Sequence, residues 1–423
     1  MRWMLPAATT VALLFAFATA AAQDVASVRW PQFRGPEHNA TARLPSGTLP
    51  IEWSETKNIR WKLPTELRGW SSPVVADGKA WMTEATADGT EMFAMCVDLV
   101  SGKQQWRKRI FQNPPDGVRE IHTMNSYASP TPVVDGQRVW VTFGSYGTAC
   151  LEASSGDVIW QRRDLPCDHY RGPGSSPVLH DGMLFLHYDG FDYQYIVAFD
   201  AATGETLWKR DRDIDYGTDN GDQMKAYCTP ILIEVAGRTQ LISPTSKAVL
   251  AYEPQTGEEL WRVRVNEFSA TAQPLFDGQR LFVNTGFGKA KLIAIDPTGA
   301  GDVTDTHVLW TQPKSIGSKS SQLLHDGKIY NVHDSGIASC IDARDGSIVW
   351  TERLRGKFSS SLLLAAGHLY WFDHDGVGYV TKPGEDFEQV AVNTLDDGCM
   401  ATPVPVGHHL LLRTRSALYL IGP

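Results

Sequence analysis

The chain has 423 residues, of which 42% are hydrophobic and 21% are charged, and its formal net charge is −9 at pH 7. This acidic balance argues against binding to a nucleic-acid backbone, which requires clustered lysine and arginine. The length exceeds that of a typical domain, so the chain must form several domains or one large closed architecture.

The first 22 residues have the pattern of a secretion signal. Arg2 precedes an apolar run over residues 11–19, and the three alanines that follow at the end of this segment match a signal-peptidase site. The run is too short to span a bilayer, so we predict a periplasmic or secreted protein without a membrane span. No cysteine stands at the expected new N-terminus near Gln23, which disfavours a lipid anchor. We assign residues 23–57 to an N-terminal arm.

Five segments of the chain can be laid over one another. Each is a short apolar strand, an Asp-Gly pair and a second strand, and Asp-Gly favours the two-residue turn of a β-hairpin. The segments begin at Ser71, Ser129, Ser175, Thr271 and Ser320. Further strand pairs, each with a glycine in its turn, end in tryptophan. These tryptophans are Trp106, Trp160, Trp208, Trp261, Trp310 and Trp350.

One repeat unit therefore has four antiparallel strands in roughly 40 to 50 residues, and such a sheet cannot cover its own two faces. Radial stacking of the units buries these faces, which predicts an all-β propeller. Two variant units add a hairpin before Trp261 and a blade in which Phe387 takes the tryptophan position. The last segment, from Cys399, has three strands, and the strand that contains Trp61 supplies the fourth. We predict eight four-stranded blades over residues 58–423, with the last blade closed by the N-terminal strand.

Blades of the form A-x-D-A-x-T-G-x-x-x-W, such as AFDAATGETLW at residues 198–208, resemble the quinoprotein-type (PQQ-like) repeat. Quinone-dependent alcohol dehydrogenases and the non-enzymatic BamB-like scaffold of outer-membrane protein assembly share this repeat. The start WPQFRGPEHNA also resembles a group of secreted bacterial PQQ-like repeat proteins of unsettled function. The resemblance implies that the tryptophan side chains dock between neighbouring blades, where an apolar indole is buried.

The six cysteines fall into two groups. Three occupy one repeat position where other blades have alanine, which predicts small, buried packing residues. These are Cys96, Cys150 and Cys340. Cys167, Cys228 and Cys399 lie in or beside the connections between blades. In an oxidising compartment Cys167 and Cys228 could pair because their blades are consecutive, although sequence alone does not fix the connectivity.

The connections from an outer strand to the next inner strand share one face of a propeller with the loops between strands two and three. In blades one to four these segments are long and polar, whereas most opposite turns are short, such as SSGD and ATGE. Long polar loops on a rigid scaffold usually carry binding sites, so we place a site for a protein or polysaccharide on this loop face. Its predicted residues are Glu120, His122, Asn125, Tyr127, Asp168, His169, Tyr170, Arg171, Asp189, Asp192 and Lys225. Alternatively, these side chains satisfy one another and cap the central channel.

The linker DRDIDYGTDNGD, residues 211–222, is a candidate calcium site. Its carboxylates are Asp211, Asp213, Asp215, Asp219 and Asp222. Alternate acidic side chains in a curled loop can converge on Ca²⁺, which takes six to eight oxygen ligands. However, Tyr216 stands where a helix–loop–helix calcium loop has its sharp-turn glycine, so a solvated acidic linker is the alternative. His122, His169, His187 and His333 are further candidate metal ligands, but their spacing matches no histidine metal motif.

Two functional classes remain open. The first is a secreted, monomeric, non-catalytic propeller that binds its partner through the loop face. The second is an alcohol or sugar dehydrogenase that uses PQQ and Ca²⁺. The resemblance implies adjacent cysteines beside the quinone in such enzymes, and this sequence has neither a Cys-Cys pair nor a C-x-x-C-H haem motif, so we favour the first class. A hydrolase is disfavoured, because there is no G-x-S-x-G elbow and Cys167 and His169 lack an orienting third group.

Overall fold

The computed structural model describes Val25 and residues 27–423, and the predicted signal peptide lies outside these residues. The described strands form eight sheets, each built on four antiparallel strands. The chain is therefore an eight-bladed β-propeller, as the repeat predicts. Among residues 27–423, helical structure is limited to two single turns in the linkers, Pro115–Gly117 and Gly221–Gln223.

The strands of each blade follow one another in the sequence. Blade one comprises Val74–Ala76, Lys79–Ala85, Glu91–Asp98 and Gln104–Gln112, and blade two comprises Val133–Val134, Arg138–Thr142, Thr148–Glu152 and Val158–Arg162. Blade three comprises Val178–His180, Met183–Asp189, Gln194–Asp200 and Thr206–Asp211, and blade four comprises Ile231–Val235, Arg238–Pro244, Ala248–Tyr252 and Glu259–Arg264. Blade five comprises Leu275–Phe276, Leu281–Asn284, Leu292–Ile295 and Val308–Gln312, and blade six comprises Leu323–His325, Lys328–Val332, Ile337–Asp342 and Ile348–Arg353. Blade seven comprises Leu363–Ala365, His368–Phe372, Val377–Lys382 and Glu388–Thr394, and blade eight comprises Val404–Val406, His409–Arg413, Ala417–Ile421 and Ile59–Pro64. Two short strands, Thr41–Ala42 and Gly301–Asp302, add in parallel to blades seven and four.

The N-terminal strand closes the ring. Ile59–Pro64 pairs antiparallel with Ala417–Ile421, so the eighth blade combines both ends of the propeller. Trp61 lies on this strand and donates its indole N–H to the carbonyl of Leu99 in the first blade, 2.9 Å away. The predicted closure is confirmed, and it gives the last blade its fourth strand.

The tryptophan position links each blade to the next one. Ala198 faces Trp208 across strands three and four of the third blade, and a small residue there leaves room for the indole. Trp208 donates its indole N–H to Pro254 O of the fourth blade, 2.8 Å away, and its ring packs against Gly257. The same donation to the next blade recurs six times in the described residues. The donors are Trp61, Trp106, Trp160, Trp208, Trp310 and Trp350.

Two blades depart from this pattern. Trp261 bonds within its own blade, to Gln240 Oε1 at 2.9 Å. In blade seven the residue that faces the third strand at the tryptophan position is Ala391, opposite Val380. The prediction for Phe387 is therefore wrong, because Phe387 precedes the outer strand Glu388–Thr394 and cannot face the third strand at this position. Its ring instead packs edge-on against Trp350 of blade six, with the centroids 5.3 Å apart.

A ring of hydrogen bonds joins the inner strands around the channel. In six blades a backbone N–H at the start of the inner strand donates to the hydroxyl oxygen of a serine or threonine in the next blade. The pairs are Ser72 with Thr131, Thr131 with Ser176, Ser176 with Thr229, Gln273 with Ser321, Ser321 with Ser361, and Thr402 with Ser72, at 2.9–3.0 Å. The ring satisfies backbone donors that have no partner within their own short strand.

The N-terminal arm crosses the central channel. Pro31 O accepts the N–H of Val134 in blade two, at 2.8 Å. A few residues later, Arg34 donates to Gln322 O in blade six, on the opposite side of the ring. The arm therefore crosses the channel between the inner strands of opposite blades.

Candidate functional site

The linkers that follow the first three blades touch one another on the loop face. Asn125 donates to Arg171 O at 2.9 Å, and Tyr227 donates to His169 O at 3.2 Å. The structure therefore brings together linkers that are more than 40 residues apart in sequence. Most of the predicted site residues lie here, and their contacts decide which side chains are free to meet a ligand.

Asp168 and Asp192 hold two loops together. Asp192 Oδ1 accepts the N–H of Asp168 at 2.6 Å, and Asp168 forms an ion pair with Arg119. Asp168 Oδ1 also accepts the N–H of Tyr170 at 2.8 Å, and this turn places Tyr170 in the left-handed region, with φ of +57°. The two carboxylates thus position backbone groups, and Asp168 with its partner Arg119 also lines a small cavity of about 200 Å³.

Cys167 and His169 form a buried pair with no nucleophilic character. Their Sγ and Nδ1 atoms are 3.7 Å apart, and His169 Nε2 accepts the N–H of Ser145 at 3.0 Å. Burial raises the pKa of the Cys167 thiol well above its usual value and lowers the pKa of His169 to about 4. Near neutral pH the cysteine is a thiol and the histidine is neutral, so the pair is a packing element of its linker.

Asp189 belongs to a buried network between blades three and four. Its carboxylate accepts two hydrogen bonds from Arg212, both at 2.8 Å. Arg212 also donates to Ser243 Oγ at 2.7 Å, and the same hydroxyl lies 2.7 Å from His187 Nε2. Burial lowers the pKa of His187 well below its ordinary value, and the neighbouring Arg212 acts in the same direction. These groups join two blades and are closed to solvent.

Lys225, Tyr170 and Arg171 lie between the third and fourth blades at the edge of the channel. The Lys225 ammonium pairs with Asp222 at 2.6 Å and donates to Ser269 Oγ at 2.9 Å. It also lies over the Tyr170 ring, 5.4 Å from the centroid, while the Arg171 guanidinium lies 4.5 Å from the same centroid. Lys225 is buried and satisfied, whereas Arg171 is exposed.

The other predicted residues come from the linker after blade one. Tyr127 is buried and donates to Arg119 O at 2.7 Å, and Asn125 Oδ1 accepts the hydroxyl of Ser129 at 2.5 Å. His122 Nδ1 accepts the N–H of Met124 at 3.1 Å. Glu120 is exposed at the edge of a small cavity of about 200 Å³.

The acidic linker does not gather its carboxylates. Asp222 pairs with Lys225, Asp211 pairs with Lys209 at 2.6 Å, and Asp215 accepts the N–H of Gly217 at 2.9 Å. No group of three or more His, Cys, Asp or Glu side chains within the described part of the chain is placed to hold a metal ion. The calcium site in this linker, which also includes Asp213 and Asp219, stays a prediction that the side-chain positions do not support.

All six cysteines are free and buried. Cys228 Sγ lies 3.2 Å from Ala272 O, in contact with the neighbouring blade, so the Cys167–Cys228 disulfide left open by the sequence does not form. Cys96, Cys150 and Cys340 face Trp106, Trp160 and Trp350 across strands three and four, as expected for small packing residues.

A funnel lies at the loop-face end of the channel. Four predicted residues, His122, Asn125, Arg171 and Lys225, line it, and sequence reasoning missed the rest of its wall. Its cavity volume is about 450 Å³, and Phe33 of the arm lines it together with residues from all parts of the ring. The walls are apolar and partly open to solvent. Met124 is 44% exposed and Phe287 is 55% exposed. The apolar wall residues are Phe33, Trp70, Met124, Tyr227, Phe268, Phe287 and Met400.

The throat of the funnel is lined by the hydroxyl ring. Ser72, Thr131, Ser176, Ser321 and Ser361 all lie on its wall. Their oxygens accept backbone N–H groups, which leaves the hydroxyl hydrogens as donors. One sequence signal could have revealed this ring of hydroxyls. A Ser or Thr precedes the inner strand in most repeats, although a hydroxyl side chain has no apolar packing role there.

A second cavity, the side pocket, adjoins the funnel. Its volume is about 580 Å³, and the two cavities share Trp70, Met124 and Met400. Arg68 and Arg415 line the side pocket, and the Arg68 guanidinium stacks on the Trp70 ring, 4.8 Å from its centroid. An apolar cavity and a cationic one are therefore separated by a ridge of three apolar side chains.

Comparison with known families assigns the repeat. The family model described as "Outer membrane protein assembly factor BamB" matches residues 48–210, 192–336 and 299–382. The chain belongs to this family. The family is the one that the repeat motif indicates, and its match runs through most of the propeller.

Individual BamB relatives are distant. The outer membrane protein assembly factor BamB of Yersinia pestis is 20% identical over 349 residues, which are 78% of this chain and 81% of that protein. The factor of the same name from Burkholderia pseudomallei is 27% identical over 119 residues, only 28% of the length of either protein. The quinoprotein alcohol dehydrogenase PedH of Pseudomonas putida is 24% identical over 164 residues, 37% of this chain and 26% of that protein.

Solved structures confirm the architecture. The quinohemoprotein alcohol dehydrogenase of Comamonas testosteroni superposes with a TM-score of 0.67 at 13% identity, over 96% of this chain and 84% of that one. BamB of Moraxella catarrhalis superposes with a TM-score of 0.61 at 12% identity, over 86% of this chain and 99% of that one. At such identities these likenesses establish the fold that BamB and quinoproteins share, and not the activity.

The funnel offers a poor donor set for the calcium and quinone of the dehydrogenases. Asp222 is the one carboxylate on its described lining, and it is paired with Lys225 at 2.6 Å. Calcium takes six to eight oxygen ligands and favours several carboxylates, so these residues do not fit it. Separately, no helix in the described residues is long and apolar enough to cross a membrane.

Proposed function

We propose that this BamB-family protein is a secreted or periplasmic, non-catalytic binding module that holds a protein partner on its loop face. The observation that carries the proposal is the funnel. It combines exposed apolar walls with a concave shape, and exposed apolar patches bordered by polar groups mark interaction sites. Its volume of about 450 Å³ also lies in the range of binding cavities.

The chemistry of the loop face supports recognition over catalysis. Enzymatic acid–base and nucleophilic groups need open geometry and pKa values near the working pH. Among the titratable groups that the sequence singled out here, Cys167, His169 and Asp189 are buried and bonded to their own linkers or blades, whereas Glu120, His122 and Asp192 are not buried. Apolar side chains and unpaired arginines remain available on the open surface.

A quinone-dependent dehydrogenase is the second candidate. PedH and the quinohemoprotein structure share the propeller, which favours this candidate at the level of fold. The carboxylate content of the funnel, with Asp222 already paired, weighs against it. The membership of this chain in the BamB family also favours a binding module, because the family is described as an assembly factor.

Photo-crosslinking separates a binding face from a passive one. A benzophenone amino acid replaces Met124 on the funnel wall, or Thr203 in an exposed turn of the opposite face as the matched control. Irradiation of the cells that make the protein should give adducts through position 124 and not through position 203. Equal adducts from both positions, or none from position 124, would contradict the proposal.

Reconstitution with PQQ and Ca²⁺ tests the second candidate. We expect no thermal stabilisation and no reduction of an artificial electron-acceptor dye with alcohols or sugars. Dye reduction that depends on PQQ would show that the protein is a dehydrogenase and would overturn the non-catalytic assignment.

A further inference from the structure

The ridge between the two cavities presents apolar surface to solvent from both sides. Trp70 donates its indole N–H to Met124 O at 3.0 Å, which fixes the ring upright beside the exposed Met124 side chain. Met400 completes the ridge from blade eight. Methionine adapts its shape to different contacts, so the ridge suits a partner that lies across it.

Three arginines lie beside the ridge without a salt bridge. The one carboxylate on the described lining of the side pocket, Glu66, is paired with Arg107 at 3.2 Å. Within the described residues, Arg68, Arg171 and Arg415 take part in none of the salt bridges, although most other arginines of the propeller do. Arg68 donates to Thr123 O and stacks on the Trp70 ring. These contacts hold the guanidinium in place, but neither of them neutralises its positive charge. Arg415 is exposed.

The positive charges of these groups lower the pKa values of neighbouring side chains. Burial lowers the pKa of Arg68, and the nearby Arg415 lowers it further. His374, in the wall of the side pocket, has its pKa lowered to about 4 by burial and then by Lys319 and Arg415. A protein with a net charge of −9 thus places two arginines outside any described salt bridge, Arg68 and Arg415, in one pocket of its loop face.

We propose that the funnel and the side pocket together bind a short acidic peptide segment of a protein partner, with one apolar or aromatic side chain in the funnel and its carboxylates at Arg68 and Arg415. This inference rests on the proposed function and names the chemistry of the partner. Charge complementarity selects an acidic segment, because an arginine guanidinium binds carboxylates well and is only weakly hydrated.

The shape of the site favours a peptide segment over the surface of a folded domain. Both cavities are concave and hold about 450 and 580 Å³, which suits individual side chains. The hydroxyls of the throat add donors for a peptide carbonyl or a carboxylate, since their oxygens already accept the backbone of the neighbouring blade. Apolar anchors set in pockets and surrounded by charges are the usual source of affinity in such interfaces.

Three synthetic peptides test the inference by fluorescence polarisation. They are acetyl-Asp-Glu-Phe-Asp-Glu-amide, its alanine-centred form, and acetyl-Lys-Lys-Phe-Lys-Lys-amide, each with the same dye. The acidic phenylalanine peptide should bind, the alanine form should bind about tenfold more weakly because the anchor is lost, and the basic peptide should not bind. Binding should weaken as salt is raised, because the arginines are partly exposed.

Arg415→Glu and Arg43→Glu are the matched variants. Both side chains are exposed and outside the described salt bridges, but Arg43 lies on the N-terminal arm, away from the loop face. We expect Arg415→Glu to weaken the acidic peptide about tenfold and Arg43→Glu to leave it unchanged. Circular dichroism confirms that both variants are folded.

Several results would overturn the inference. They are failure of the acidic phenylalanine peptide to bind, equal binding of the basic peptide, wild-type affinity of Arg415→Glu, or complete displacement by inorganic phosphate at equal charge, which would indicate a general anion site. If the peptides fail while adducts still form through position 124, the partner is not an acidic peptide and the proposed function stands. If position 124 gives no adducts, the binding module itself is wrong.

Discussion

The contact between each tryptophan and the glycine of the next blade should carry much of the stability of the ring, and Gly257 tests it. This glycine has φ of +67°, and a Cβ at this position would lie 2.5 Å from the Trp208 ring. The left-handed backbone costs an alanine about 1–2 kcal/mol. Forcing the ring away adds about 1–3 kcal/mol of overpacking. We therefore expect Gly257→Ala to lower the free energy of unfolding by about 2–5 kcal/mol.

Gly237→Ala is the matched control in the same blade. Its φ is +78°, and a Cβ there would meet nothing within 4 Å. It should lose only the backbone contribution of about 1–2 kcal/mol. Denaturant titration followed by far-UV circular dichroism measures both variants. In a Trp208→Ala background the excess cost of Gly257→Ala should disappear, because the ring that it meets is gone. Equal losses for the two glycines, or an excess that persists without the indole, would refute the reasoning.

Three further predictions concern buried groups. A thiol alkylating agent at pH 7 should label no cysteine of the folded protein, because burial raises the pKa of all six thiols, and rapid labelling of Cys167 in mass spectrometry would contradict this. Asp189→Ala should cost about 3–5 kcal/mol in denaturant titration, because it leaves Arg212 buried and uncompensated, and replacing both by apolar residues should cost less than the sum of the single losses. Burial lowers the pKa of His38, His169 and His374 from 6.5 to about 4, so the unfolded chain takes up protons first as the pH falls. The free energy of unfolding should therefore decline from about pH 6.5 to about pH 4, and these histidines should cause no further decline below about pH 4. The decline should be smaller in His169→Gln. A free energy of unfolding that does not change over this pH range would contradict the prediction.

The blades could be predicted from the sequence because each repeats the same local contacts. A glycine with positive φ, a small residue on strand three and a tryptophan on strand four form one interlocking unit, as Gly257, Ala198 and Trp208 show. The same reasoning failed at Phe387, because this blade lacks both the T-G turn of blades three and four and the tryptophan that marks the register in the other blades. Ala391 occupies the position instead. The arm that crosses the channel was also beyond prediction, since its partners lie in blades far away in sequence.

The side chains of the linkers followed no such rule. In a strand, successive side chains alternate between the two faces of the sheet. In an irregular loop, the direction of each side chain depends instead on its tertiary partners. Asp211 turns to Lys209 and Asp222 turns to Lys225, so the spacing of the carboxylates gave no guide to their convergence. Cys167 and His169 likewise looked reactive in sequence, but the fold places them under a neighbouring loop. Most of the funnel wall escaped notice because it comes from every part of the ring.

The distribution of polar groups gives the strongest argument for recognition. In the linkers of blades one to three, carboxylates and histidines bond to backbone groups, as Asp168 and His169 do, and they thereby hold long loops in one arrangement. A loop face fixed in this way can keep apolar side chains such as Met124 and Phe287 exposed without their collapse onto one another. The groups that resemble a catalytic cluster in the sequence therefore build the rigid frame, and the surface that they support is apolar and cationic.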